Sequence, residues 1–191
     1  MEFWATVASI GTFLVIGATA IAAMVQLRHM RAGNQIAAVM KLDSILTSAE
    51  FRQARRFVQD ELPQRLRDPA YRADLTRVPV GEGAKSLLIL GNCYEEMGVF
   101  VKRGIIDRAM ACDLWSAQAA GDWREMAPAI AIIRRVQGSS CWENWEYLVS
   151  LAQDWLKRFP QGTLPKNYRR QVLEDVYLRE DTAQSGGKAA Q

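Results

Sequence analysis

The chain has 191 residues, of which 49% are apolar and 24% charged, and a formal charge of +3; this fits one compact domain plus an appendage. So small a net charge does not suit a protein that neutralises many phosphates, and no nucleic acid is expected as a partner. The charge is unevenly placed. Residues 28–85 carry eleven Lys/Arg against seven Asp/Glu, while residues 86–191 carry thirteen of each.

The positive excess follows an apolar run, Phe3 to Val25, of twenty-three residues without a charge. As a helix it reaches about 34 Å, enough to cross a hydrocarbon core of about 30 Å. Only Glu2 precedes it, whereas Arg28, His29 and Arg31 follow at once. The positive-inside rule then puts the N-terminus outside and the rest of the chain in the cytoplasm of a single-pass inner-membrane protein. Phe3 and Trp4 suit the outer interface; Val25, Arg28 and Arg31 mark the inner one. The rival reading is a cleaved signal peptide, for which Ala18-Thr19-Ala20 offers a small-x-small site, but a signal peptide has a basic start and a shorter apolar core. A buried core helix of this length without a charge would be unusual in a small domain. Cys93, Cys112 and Cys141 are odd in number and widely spaced downstream of the run, which reads as reduced structural thiols in a cytoplasmic domain.

Gly33-Asn34 is a possible break, beyond which Gln35 to Leu46 continues with helix formers as a prolongation of the first helix. Thr47 or Ser48, with Glu50, predicts the N-cap of a helix to about Leu62, with an apolar stripe of Phe51, Ala54, Val58 and Leu62. From Pro63 to Gly83 the periodicity fails among prolines and glycines, giving a connector with one or two helical turns. Leu87, Leu90, Gly91, Tyr94, Met97, Gly98 and Val101 predict a helix over 84–103 that stops at Gly104. Asp107 caps the next, expected to end at Gly121, and Asp122-Trp123-Arg124-Glu125 has the spacing of a capping box for another. That helix carries Met126, Ile130 and Ile133, kinks at or tolerates Pro128, and closes at Gly138. Ser140 with Glu143 is expected to open the last strong helix, whose stripe is Trp142, Trp145, Leu148, Val149, Ala152, Trp155 and Leu156. Val172 to Leu178 could form a short helix, and Asp181 to Gln191 has a disordered composition.

These elements predict an all-α protein with one N-terminal transmembrane helix followed by a cytoplasmic bundle of four to five helices. The expected domains are residues 1–33 as anchor and basic juxtamembrane segment, 34–160 as the helical domain, and 161–191 as a weakly structured to disordered tail.

Catalytic and ligand motifs are largely missing. His29, the sole histidine, sits beside the apolar run, so the folded domain lacks the commonest general base and metal ligand. The cysteines stand nineteen and twenty-nine residues apart, unlike a zinc site; no metal, cofactor or catalytic residue is expected. Gly81-Glu82-Gly83-Ala84-Lys85-Ser86 superficially resembles a phosphate loop but lacks the glycine spacing and a preceding strand. Glu95 and Glu96 point about 100° apart on a helix and read as a solvated face. Arg134 or Arg135 could pair with Glu96 or Asp107 across the bundle, and these four form a candidate polar cluster. Trp142, Trp145, Tyr147 and Trp155 read first as core and second as a ligand or peptide groove.

The N-terminal span, the helix over Ser48 to Arg56, Tyr94-Glu95-Glu96-Met97-Gly98 and Lys102-Arg103-Gly104-Ile105-Ile106-Asp107 together resemble an uncharacterised bacterial family of membrane-anchored helical proteins known only as a domain of unknown function. The resemblance continues through Asp122-Trp123 to Ile132-Ile133-Arg134-Arg135 and covers most of residues 1–156. It implies a helical fold at a membrane and carries no activity with it. The expected function is a membrane-tethered interaction or regulatory module, its partners the lipid bilayer and a second copy or another protein; Ala5/Ser9 and Ala18/Ala22 would permit close helix pairing. The alternatives are an enzyme acting on a membrane-proximal or phosphorylated substrate through the four-residue cluster, and an anionic-lipid or nucleic-acid binder through Arg28 to Lys41.

Overall fold

A computed structural model describes residues 2–79 and 81–178, apart from the side chains of residues 5, 6, 8 and 9. All regular structure among them is helical, and no strand occurs. The first helix, α1, runs unbroken from Glu2 to Leu46. Gly33-Asn34 therefore does not break it: a lone glycine costs a helix only about 1 kcal/mol, and the flanking alanines and Gln35 sustain the turn. Leu42 is fully buried, and Ala38, Val39, Ile45 and Leu46 pack partly against the bundle. Its N-terminal portion is long and apolar enough to cross a membrane, with none of that stretch buried. Phe13 is 76% exposed and Ile16 62%, so no described residue covers this surface.

Ser48 opens α2 (Ala49–Arg56), its Oγ accepting the Phe51 N–H at 3.1 Å. The helix passes through one π-turn, Phe57–Glu61, into α3 (Leu62–Arg65). Leu62 N–H donates to Phe57 O across that turn. Pro63 follows and has no N–H to give, and a local change of winding is one way a helix absorbs the missing bond. The predicted stripe survives, since Phe51, Ala54, Val58 and Leu62 are all buried. The connector holds α4 (Pro69–Leu75), capped by Asp68 on Ala70 N–H at 2.8 Å, and a 3-10 turn, Glu82–Ala84.

Helix α5 (Lys85–Lys102) gives way at Gly104, whose φ of 69° lies in the left-handed region that glycine favours. Asp107 caps α6 on Met110 N–H at 3.0 Å. Here the structure corrects the sequence expectation of two helices: α6 is one helix, Arg108–Gln137, with Gly121 in its interior and Pro128 tolerated. Gly121 does not take the positive φ of a helix stop, and alanines around it keep propensity high. Gly138, at φ 86°, ends α6 as predicted. The final helix, α7 (Glu143–Arg158), begins at Trp142 in a left-handed conformation, φ 55°, and Ser140 does not cap it. Trp145, Leu148, Val149 and Ala152 are buried, whereas Trp155 is half-buried and Leu156 exposed, so the stripe stops short of its predicted end.

α7 packs against both α5 and α6, and α2 packs on α5. The α5–α7 approach depends on Gly91 and Gly98, two turns apart on one face. A Cβ at Gly91 would stand 2.2 Å from the Trp142 ring, and one at Gly98 would stand 2.0 Å from Asn144 O. Trp145 fills the centre, stacked on Tyr94 at 4.6 Å and meeting Trp123 edge-on at 5.1 Å, while Phe51 meets Tyr94 edge-on at 6.0 Å. Such aromatic pairs add to plain area burial.

The chain divides into two compact units at residue 160. In the second, residues 171–175 form no helix, and Val172 and Leu173 are 97% and 88% exposed. The short helix expected over Val172–Leu178 does not form, consistent with the instability of so short a helix without a packed face. The disorder expected for Asp181 to Gln191 falls outside the described residues.

Candidate functional site

The four residues of the expected polar cluster are held by different partners. Glu96 pairs with Lys41 of α1. Asp107 is committed to its cap. Arg134 lies 2.8 Å from Glu146 Oε2, donates through Nε to Cys141 O at 3.0 Å, and stacks over Trp123 at 5.7 Å. Arg135 is exposed. Among the described residues no hydrogen bond or ion pair joins any two of the four. Pairing of Arg134 with Glu96 or Asp107 therefore does not occur, because Glu146 at the start of α7 is nearer to hand. Of the tryptophan set, Trp142 and Trp145 are core; Trp155 is half-buried against Phe159 at 4.6 Å, and Tyr147 is half-buried.

The buried charge lies elsewhere. Asp122, only 1% exposed, accepts from Arg55 Nε at 2.9 Å and from Tyr94 Oη at 2.7 Å. It ties α2, α5 and α6 together, and Trp145 of α7 stacks on the same tyrosine. Burial, then the charge and hydrogen bond of Asp122, push the Tyr94 phenol far above the ordinary tyrosine range, so it stays a donor. Asp122 and Tyr94 are sealed in the core, and Arg55 reaches them from its edge. One signal in the sequence points to this node: Trp115, Ala119, Asp122, Met126, Ala129 and Ile133 follow one another at intervals of three and four, which places Asp122 on the buried seam.

Glu95 also has a partner across the bundle. Its Oε2 accepts the N–H groups of Asn144 and Trp145, each at 3.0 Å, and Oε1 accepts Asn144 Nδ2 at 2.6 Å. A side chain from α5 thus caps α7, filling the role Ser140 was expected to take. Beside it, Trp142 Nε1 donates to Asn92 Oδ1 at 3.1 Å.

All three cysteines are free thiols. Burial first, and Glu96 second, push Cys93 up to about 12; burial also raises Cys112 and Cys141. None is an activated thiolate. Among the described residues no group of three or more His, Cys, Asp or Glu is placed to hold a metal ion. At the glycine-rich loop, the Asp74 carboxylate lies where a Gly81 Cβ would fall, 2.0 Å from its Oδ1, and that charge opposes a phosphate.

One open groove, about 1160 Å³, lies between α1 and the α5–α6 turn. Arg31, Asn34 and Gln35 form one wall; Arg103, Ile105 and Arg108 belong to the other. Gln35 Nε2 reaches Met110 Sδ at 3.2 Å, and Lys41 lies 5.8 Å from the Phe100 ring centre, so the two walls are tied deeper in.

These features define an all-helical bundle built onto the end of a helix long and apolar enough to cross a membrane. Within that class the chain belongs to the family described as Domain of unknown function (DUF4760), whose model matches residues 13–155. The match begins inside the apolar part of α1 and runs into α7. No curated protein and no solved structure matches the chain.

Proposed function

We propose that this protein is a membrane-tethered interaction or regulatory module, with α1 crossing the inner membrane of a bacterium once, its N-terminus outside and the bundle in the cytoplasm. The observation that carries this reading is the continuity of α1. One helix presents a bare apolar surface over its first half and places Leu42 in the bundle core near its end. Water is a poor solvent for the first part, and a bilayer supplies the missing cover. Arg28 and Arg31 are exposed just beyond, as the positive-inside rule requires for this orientation. Cleavage after Ala20 would cut through the region shared with the family, which favours a retained anchor over a signal peptide.

Pairing of two copies through the exposed Ala18/Ala22 face belongs to the same proposal; the Ala5/Ser9 side chains lie outside the described residues. An enzyme built on Glu96, Asp107, Arg134 and Arg135 draws no support from the structure, since Glu96, Asp107 and Arg134 are each engaged by a different partner. Topology is tested by labelling intact cells with a membrane-impermeant maleimide, using a cysteine-free chain with one cysteine returned at either end. The expected result is immediate labelling at the N-terminus and protection of the C-terminal tail until the cells are permeabilised. Labelling of the tail in intact cells would reject the orientation.

A further inference from the structure

Contacts between α1 and the bundle fix which edge of the domain lies nearest the apolar segment. Lys41 meets Glu96 and Phe100, whereas Gln35, closer to the apolar run, meets Met110, and Arg31, closer still, faces the groove with the α5–α6 turn. α5 therefore points its C-terminal end toward the apolar part of α1, and α6 starts there. Arg31 stands six residues past Val25, about 9 Å along the axis. In a bilayer whose headgroup layer adds about 5–8 Å beyond the hydrocarbon on each side, that is the level where headgroups meet water.

The charge at this edge is predominantly positive. Arg28, Arg31, Arg103 and Arg108 are exposed, and none forms an ion pair among the described residues. Lys102 is held by Asn144 and Glu143, and Asp107, whose Oδ1 caps α6, is the one carboxylate among the groove residues, against the guanidinium groups of Arg31, Arg103 and Arg108. The turn itself is fixed. Ile105 and Ile106 N–H both donate to Phe100 O, at 2.9 and 3.2 Å. Ile106 is fully buried as an anchor, while Ile105 is 41% exposed.

We infer that the α5–α6 turn is a docking edge for anionic phospholipids, with Arg31, Arg103 and Arg108 receiving headgroup phosphates in the groove and Ile105 entering the interface beside them. Arginine suits this role because its fork of donors matches phosphate oxygens, and an anionic leaflet attracts clustered basic residues close to a span. The inference rests on α1 crossing the bilayer.

The test uses the full chain in nanodiscs and follows amide hydrogen exchange over residues 103–110, with α4 as an internal reference. Incorporation into discs of phosphatidylcholine alone is scored first, because failure there rejects the span and the docking edge with it. Given incorporation, discs with one-third phosphatidylglycerol are expected to slow exchange of the turn several-fold relative to phosphatidylcholine discs, with α4 unchanged. Arg103→Glu with Arg108→Glu, both at exposed positions, should abolish the slowing, as should high salt. Equal exchange in the two kinds of disc overturns the docking edge while leaving the span intact. Slowing produced in phosphatidylcholine discs by inorganic phosphate alone also overturns it, by showing a site for a soluble anion.

Discussion

Removing the Asp122 carboxylate strands two partners at once, the phenol of Tyr94 inside the core and the guanidinium of Arg55 at its edge. Loss of one member of a buried charged pair costs about 3–5 kcal/mol; Arg55 can turn toward water, which argues for the lower figure. Asp122→Ala is therefore expected to lose about 3 kcal/mol, or roughly 6–12 °C in Tm for a chain of this size, while Tyr94→Phe, which keeps the ring stack, loses about 1–2 kcal/mol. Thermal unfolding in detergent, read by near-ultraviolet circular dichroism of the tryptophan core, measures both. Cys93 gives a pH dependence of definite sign. The folded thiol holds its proton to about 12, against an ordinary value of 9.0. Below the lower value both states are protonated and pH has no effect through this group. Between the two the unfolded chain binds fewer protons, so stability falls as pH rises. Cys93→Ala should show a shallower alkaline decline than the native protein; an unchanged slope would assign the effect to other groups. Asp122 was hard to read in the sequence because Asp-x-x-Glu after a glycine is also a helix-start pattern, and only its register with the buried seam distinguishes the two.

At the level of whole helices, the unexpected arrangement is that α5 caps α7. Glu95→Ala removes the acceptor for two N–H groups at the positive end of α7 and is expected to cost about 1–2 kcal/mol, with the loss seen as faster amide exchange in the first turn of α7. Ser140→Ala serves as the control and should leave that turn unchanged. Local patterns predicted Ser48, Asp107, Gly104 and Gly138 correctly as starts and stops, since a cap within the chain segment uses residues at fixed offsets. They failed for α7 because its cap comes from a residue forty-nine positions away, and for α6 because a glycine signals a stop only when the backbone takes a left-handed turn there. The stripes of α2 and α5 were legible through their periodicity. The close α5–α7 approach at Gly91 and Gly98 was not, because it depends on what faces the glycines.

For the molecule as a whole, the all-helical class and the long apolar first helix were legible from composition and spacing alone. The partners of the polar-cluster residues were not legible: sequence places charges on elements, and only packing decides that Arg134 turns to Glu146 and Glu96 to Lys41. The groove residues were hidden for a related reason. The basic excess seen near the apolar run supplies Arg28 and Arg31, but Arg103 and Arg108 come from a half of the chain whose net charge is zero, and folding brings them alongside. Because α1 continues without a joint from its apolar part to Leu42, the bundle has no hinge about which to swivel on its stalk. Any rotation of the helix about its own axis within a bilayer would turn the bundle through the same angle. With α1 in a bilayer as proposed, two copies whose spans met along one stripe would thus present their bundles at a set rotational phase.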